Sequence, residues 1–220
     1  MSSTRRPAQT WSSSEASALT RTTSAPHIGH SGRVPRTLEV RRHAATEKGA
    51  RRGRGSHLSQ VGITAARELG ASIGPFAFVL TSGVPRSLET AVAMGFAVDD
   101  CVDMGGPHFA AASRELAQHR WWEMPDPFVF WQEHIAHNGP VAALAGYQET
   151  LWRSAVARVP DSGAVLVVSH GGLIEPGVVA CFPDSDYRAW GRPFDNLEGA
   201  RLQCDESGWV GLELLRSAGG

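Results

Sequence analysis

Two histidines and two arginines stand where short apolar runs end. Leu38-Glu39-Val40 leads to Arg42 and His43, Phe78-Val79-Leu80 leads through Thr81-Ser82 to Arg86, and Val165 to Val168 leads to His170. Each run reads as a strand of a parallel sheet, and in such sheets ligand sites form just beyond the carboxyl ends of the strands. The four side chains would therefore gather at one end of the sheet, where they would repel one another unless an anion binds. Arg86 follows Pro85, a residue suited to the first position of a helix. A cation there opposes the helix dipole, and a bound anion reverses the sign of that effect. Gly171-Gly172 leaves backbone N–H groups open to an approaching oxygen. Any one of these residues alone is ordinarily structural or solvated; their joint placement at three strand ends points to a phosphate pocket.

The elements that must position them follow from the residue pattern. Residues 37–41 read as a strand. Ser59 caps a helix over 60 to about 73, with Val61, Ala65 and Leu69 on one face. Strand 76–80, a helix from Pro85 to about 95, and strand 96–102 come next. Residues 105–138 read as an insertion of helical tendency carrying Trp121, Trp122, Phe128, Phe130 and Trp131, either a lid over the pocket or part of the core. A helix over 141–159, strand 164–168, a helix to about 180, and two strands within 196–215 around a turn at Asp205 to Gly208 complete the pattern. Alternating strands and helices imply a three-layer α/β/α sandwich around a largely parallel mixed sheet.

The 220 residues suffice for one domain with a real core, and 42% hydrophobic with 20% charged residues is ordinary for a globular chain. No apolar run has the length of a membrane span, and the formal net charge of -1 gives no pull toward nucleic acid or membrane. Cys101, Cys181 and Cys204 lie far apart, with no C-x-x-C pair, and suit incidental thiols in a reducing compartment; a cytoplasmic location is expected. Residues 1–36 are rich in Ser, Thr and Arg with Glu15 as their single acid. They read as a disordered or mis-assigned leader, with a transit peptide as the alternative, ahead of a domain over 37–220. The His27-Ile28-Gly29-His30 tetrapeptide within it matches a signature of class I aminoacyl-tRNA synthetases. No strand precedes it and Lys48 is the only lysine, so the lysine-rich partner motif is missing.

Four ordered motifs resemble the histidine phosphatase superfamily (the phosphoglycerate mutase-like fold). Arg42-His43-Ala44-Ala45-Thr46 resembles its R-H-G-x-T signature, and Leu58-Ser59-Gln60-Val61-Gly62 its L-T-x-x-G helix entry. Ser82-Gly83-Val84-Pro85-Arg86 with Glu89-Thr90-Ala91 is similar to S-P-x-x-R-x-x-x-T-A, and Val167-Val168-Ser169-His170-Gly171-Gly172 to V-S-H-G-G. The resemblance covers about residues 37–215. It implies a phosphomonoester hydrolase in which His43 becomes a phosphohistidine. Arg42, Arg86, His170, Thr46 and Gly171 would hold the phosphate of a small phosphorylated substrate, with neither metal nor organic cofactor. The proton donor in the family follows the third strand, where Asp103 stands; Asp99, Asp100, Glu115, Glu123 and Glu133 are further candidates. Ala44 replaces the family's glycine, and Lys48-Gly49 stands where phosphoglycerate mutases often carry asparagine, which weighs against a mutase more than against a phosphatase.

Other chemistries fit less well. Cys181 to Arg188 is one residue too long for the C-x5-R of cysteine phosphatases. Asp184-Ser185-Asp186 follows Pro183 rather than a strand. His134 and His137 form a close pair suited to packing or surface roles more than to a metal. The run Lys48 to Arg54 lacks interleaved aromatics and suits a phosphate-attracting or solvated loop better than a nucleic-acid footprint. The remaining alternatives are a catalytically silent phospholigand-binding protein on the same fold, a mutase, and a phosphohistidine protein phosphatase.

Overall fold

The computed structural model describes residues 34–47 and 55–217. Most of the expected leader, its His-Ile-Gly-His tetrapeptide and the basic run 48–54 lie outside these residues. Strands β1 (Arg36–Arg42), β2 (Phe78–Ser82), β3 (Asp100–Val102), β4 (Ala164–Ser169), β5 (Gly199–Asp205) and β6 (Gly208–Leu215) form one sheet in the order β3-β2-β4-β1-β5-β6. The first four of these neighbours run parallel, while β5 pairs antiparallel with β1 and β6 antiparallel with β5. The expected mixed, largely parallel sheet is thus present, with the terminal hairpin supplying its antiparallel part.

Helices cover both faces. On one, α1 (Gln60–Gly70) and α2 (Pro85–Ala93) bring Ala66, Ala91 and Met94 against Val79, Leu166 and Val168. On the other, α3 (Phe109–Glu115), α4 (Pro127–Ala136), α5 (Pro140–Val156) and α6 (Ile174–Cys181) bring Ala112, Trp131, Trp152 and Val178 against Leu38, Val40, Leu80, Val165 and Val167. A strand covered on both faces must be apolar at every position, which is why β4 stands out in the sequence. β1 is less uniform: its Glu39 is 2% exposed and pairs with Arg41 at 2.7 Å and Arg201 at 2.8 Å.

Several elements differ from the sequence-based expectation. β1 begins at Arg36, inside the expected leader, because the Arg36 guanidinium reaches Asp161 at 2.9 Å and the strand pairs back to Cys204. In α1 the buried residues are Gly62 and Ala66, while Val61 is 75% exposed. The helix docks on the side where a Cβ is missing: one added at Gly62 would lie 2.1 Å from the Ala45 carbonyl oxygen. β3 is three residues long rather than seven, since ahead of it the Asp99 carboxylate takes the Val79 N–H at 2.8 Å in place of a strand partner. The segment 105–138 sends Phe128, Phe130 and Trp131 into the core, with Phe128 and Trp131 fully buried, while Trp122 is left 53% exposed. Cys101 is exposed, whereas Cys181 and Cys204 are buried. No helix among the described residues is long and apolar enough to cross a membrane.

Candidate active site

Strand register fixes where the reactive side chains leave the sheet. Arg42 on β1 stands opposite Ser169 on β4, Thr81 on β2 opposite Val168, and Ser82 opposite Val102 of β3. The residues that follow, His43, His170 and Asp103, therefore emerge at one edge. The His43 N–H is tied to the Ser169 carbonyl at 2.9 Å, and the rings of His43 and His170 lie 5.3 Å apart between centroids.

The tautomer of His43 follows from its partner. Its Nδ1 lies 2.8 Å from the Ala44 carbonyl oxygen, which only accepts, so Nδ1 carries the proton and Nε2 of the neutral ring keeps a lone pair. Burial holds the His43 pKa down to about 4, with Arg86 and Arg42 pushing the same way against the Ala44 bond. His170 is held at about 3 by burial, then by Arg86, His43 and Arg42. Both rings are neutral at neutral pH. His170 Nε2 lies 2.7 Å from Ser82 Oγ and 3.5 Å from Ser87 Oγ.

The arginines complete a positive rim. Arg42 donates through Nη1 to the Phe194 carbonyl at 2.6 Å, and its guanidinium packs so closely on Gly171 that a Cβ there would lie 3.3 Å away. Arg86 lies in the first turn of α2, directly after Pro85 at the helix start. Burial first and Arg42 second lower its pKa, so its charge is disfavoured where it stands. Arg42 Nε and His170 Nδ1 are both buried without a hydrogen-bond partner among the described residues. The Arg42 N–H is a buried donor, and His170 Nδ1 is one in the tautomer whose Nε2 accepts from the Ser82 hydroxyl. Buried donors left unpaired are costly, and an oxyanion is the ligand that would satisfy them. Beside this rim opens a cavity of about 480 Å³, lined by Arg86, Asp103, Phe109, His170, Gly171 and Leu173 among others.

The sequence profile of the histidine phosphatase superfamily (branch 1) matches residues 39–215. The chain belongs to the histidine phosphatase superfamily. Among solved structures, a mycobacterial glucosyl-3-phosphoglycerate phosphatase is similar at 22% identity and a TM-score of 0.56, over 83% of this chain and 99% of its own. A phosphoserine phosphatase of Entamoeba histolytica is similar at 17% identity and a TM-score of 0.53, over 83% and 98% of the two chains. A phosphoglycerate mutase of Bacillus anthracis follows at 18% identity and a TM-score of 0.50, over 85% and 94%. At such identities the likeness is one of fold, and the fold is phosphoglycerate mutase-like. No curated protein sequence matches the chain.

Within this histidine phosphatase the expected site residues are unequally placed. Arg86, His170, Gly171 and Asp103 line the cavity; His43 adjoins it beside His170, and Arg42 lies against Gly171. Thr46 is held in an antiparallel bridge with Leu58, at the root of the 48–54 run, and is not on the cavity wall. Asp103 is exposed; its Oδ1 accepts the Gly105 N–H at 3.2 Å, and its carbonyl accepts from the Tyr147 hydroxyl at 3.0 Å. The expectation that both glycines after His170 offer free N–H groups needs correction. Gly172 donates to Glu175 Oε2 at 2.6 Å, which leaves the Gly171 N–H as the one to consider. The Ala44 N–H is likewise taken, by Thr90 Oγ1 at 3.0 Å. No group of three or more His, Cys, Asp or Glu side chains among the described residues is arranged to hold a metal ion.

Three supporting residues escaped the sequence reading. Glu175, fully buried, also accepts the Phe194 N–H at 3.2 Å, so one carboxyl group ties the turn after His170 to the residue that anchors Arg42. Asn196 donates to the His43 carbonyl at 2.8 Å. Glu198, 1% exposed, clamps the same segment through two bonds from Arg192 at 2.7 and 2.8 Å and the N–H groups of Asp195 and Ser217. Burial raises its pKa, but Arg192 and those N–H groups outweigh it and hold the carboxyl at about 2. A lone acid in the apolar run of α6 was a readable sign of Glu175; nothing local marked Asn196.

Proposed function

We propose that the protein is a phosphomonoester hydrolase working through a phosphohistidine on His43. The observation that carries this reading is the pair of neutral imidazoles, 5.3 Å apart, next to the guanidinium groups of Arg42 and Arg86, with Arg42 Nε buried and without a hydrogen-bond partner among the described residues. His43 Nε2 attacks phosphorus, forming the P–N bond as the bond to the leaving oxygen breaks. Arg42, Arg86, His170 and the Gly171 N–H hold the non-bridging oxygens and the charge that grows on them. Thr46 supports the loop that carries His43. Asp103 gives its proton to the leaving oxygen, then takes one from the water that attacks phosphohistidine. Inorganic phosphate leaves, and His43 is neutral again.

The test is rapid quenching during turnover of an aryl phosphate. A phosphoenzyme that is stable to base and labile to acid should form with the wild type and be missing in His43→Ala. An aryl phosphate has a good leaving group, so Asp103→Asn should lose less activity on it than on an alkyl phosphate. Binding of phosphate without turnover or phosphoenzyme would instead support a silent phospholigand-binding protein.

A further inference from the structure

The cavity wall is chemically mixed. Ser82, Arg86, His170 and Gly171 belong to it, and so do the apolar side chains of Val84, Val102, Met104, Phe109 and Leu173, together with Asp103. Phe109 opens α3 and remains 44% exposed, although Phe128, Phe130 and Trp131 of α4 are buried in the core. Its position is built in from below: a Cβ on Gly105 would lie 2.7 Å from Phe109 Cβ, so the glycine makes room for the aromatic side chain. A volume of about 480 Å³ falls among small-ligand sites and exceeds what a phosphate group alone would fill. Among the described lining residues the basic side chains are Arg86 and His170. With both engaged by the phosphate, a second anion in the cavity would lose water without gaining a basic partner.

We propose that the alcohol half of the substrate is an uncharged apolar group, an alkyl or aryl moiety lying against Val84, Val102, Phe109 and Leu173. This rests on the assignment of Arg86 and His170 to phosphate. Esters whose alcohol carries a carboxylate or a second phosphate are then poor substrates. Apolar contact is the specificity device, and Asp103 is the carboxylate among the described lining residues.

The experiment compares kcat/KM for methyl, butyl and hexyl phosphate with 3-phosphoglycerate. Leaving-group acidity changes little along the alkyl series, so the trend reports contact with the wall. Each methylene that becomes buried should raise kcat/KM by about fourfold until the wall is filled. Hexyl phosphate should exceed 3-phosphoglycerate by at least about tenfold on the same footing. Phe109→Ala, at an exposed position where folding is spared, should flatten the chain-length trend, and Phe109→Leu should restore part of it. Equal values along the series, or a preference for 3-phosphoglycerate, overturn the inference and leave the phosphatase reading standing. No hydrolysis of any ester, including an aryl phosphate, together with no phosphoenzyme, overturns both.

Discussion

Burial does two things to His43 at once: it brings the ring against His170, and it keeps the ring uncharged. The second has a consequence for stability. In the unfolded chain the imidazole takes its proton near the ordinary value of 6.5, but in the folded protein only near 4. As pH falls through that window the unfolded state binds the proton first, so stability is full above about 6.5 and declines toward 4. Through His43 alone the protein should be about 2 kcal/mol less stable at pH 5 than at pH 7, with His170 acting in the same direction. Urea denaturation at the two pH values, in a buffer without phosphate, measures the difference. His43→Gln should shrink it by a similar amount. Glu175 makes a second residue-scale case. Glu175→Ala leaves the buried Phe194 N–H and the half-buried Gly172 N–H unpaired, which should cost about 2–4 kcal/mol. Because Phe194 anchors Arg42, inhibition by inorganic phosphate should weaken several-fold as well. A loss of stability with unchanged phosphate inhibition would separate Glu175 from the site.

At the scale of elements, the approach of α1 to the residues after His43 depends on Gly62. In an ordinary exposed helix, glycine to alanine stabilises by up to about 1 kcal/mol. Here the new methyl would meet the Ala45 carbonyl oxygen, backbone that cannot swing aside, so Gly62→Ala should destabilise by about 1–3 kcal/mol. Thermal denaturation decides the sign. That helix also shows what the sequence conveyed and what it withheld. Its start was legible because Ser59 caps it through a local bond to the Gly62 N–H at 3.1 Å. Its buried face was not, because a glycine carries no hydrophobic mark and the close approach is made by a residue on another segment. The site divides the same way. Arg42, His43, Arg86 and His170 sit within a few residues of apolar strand ends and could be read from local order. The Arg42 bond to Phe194 spans 152 positions and the Asn196 bond to His43 spans 153, so only the folded chain discloses them. β3 failed as a seven-residue strand because an aspartate side chain took over a backbone bond, a substitution that apolar patterning does not register.

Across the whole molecule, a chain of formal net charge -1 concentrates positive charge at one sheet edge. Burial and mutual repulsion already strain that edge, as the lowered pKa of Arg86 shows. An anion that binds there stabilises the folded state alone, by about 2.7 kcal/mol at a concentration one hundred times its dissociation constant. For a domain of this size that corresponds to a rise in melting temperature of about 5–10 °C. Inorganic phosphate should produce the rise in the wild type, and Arg86→Ala should lose most of it. General salting effects of phosphate act on both proteins alike and cancel in the comparison. The stabilisation should also be larger at pH 5 than the protonation of phosphate alone would allow. A bound anion favours the charged imidazoles and so offsets part of the acid destabilisation set by His43 and His170. If Arg86→Ala kept the full shift, the anion would be binding elsewhere, and the sheet edge would lose its claim to be the phosphate site.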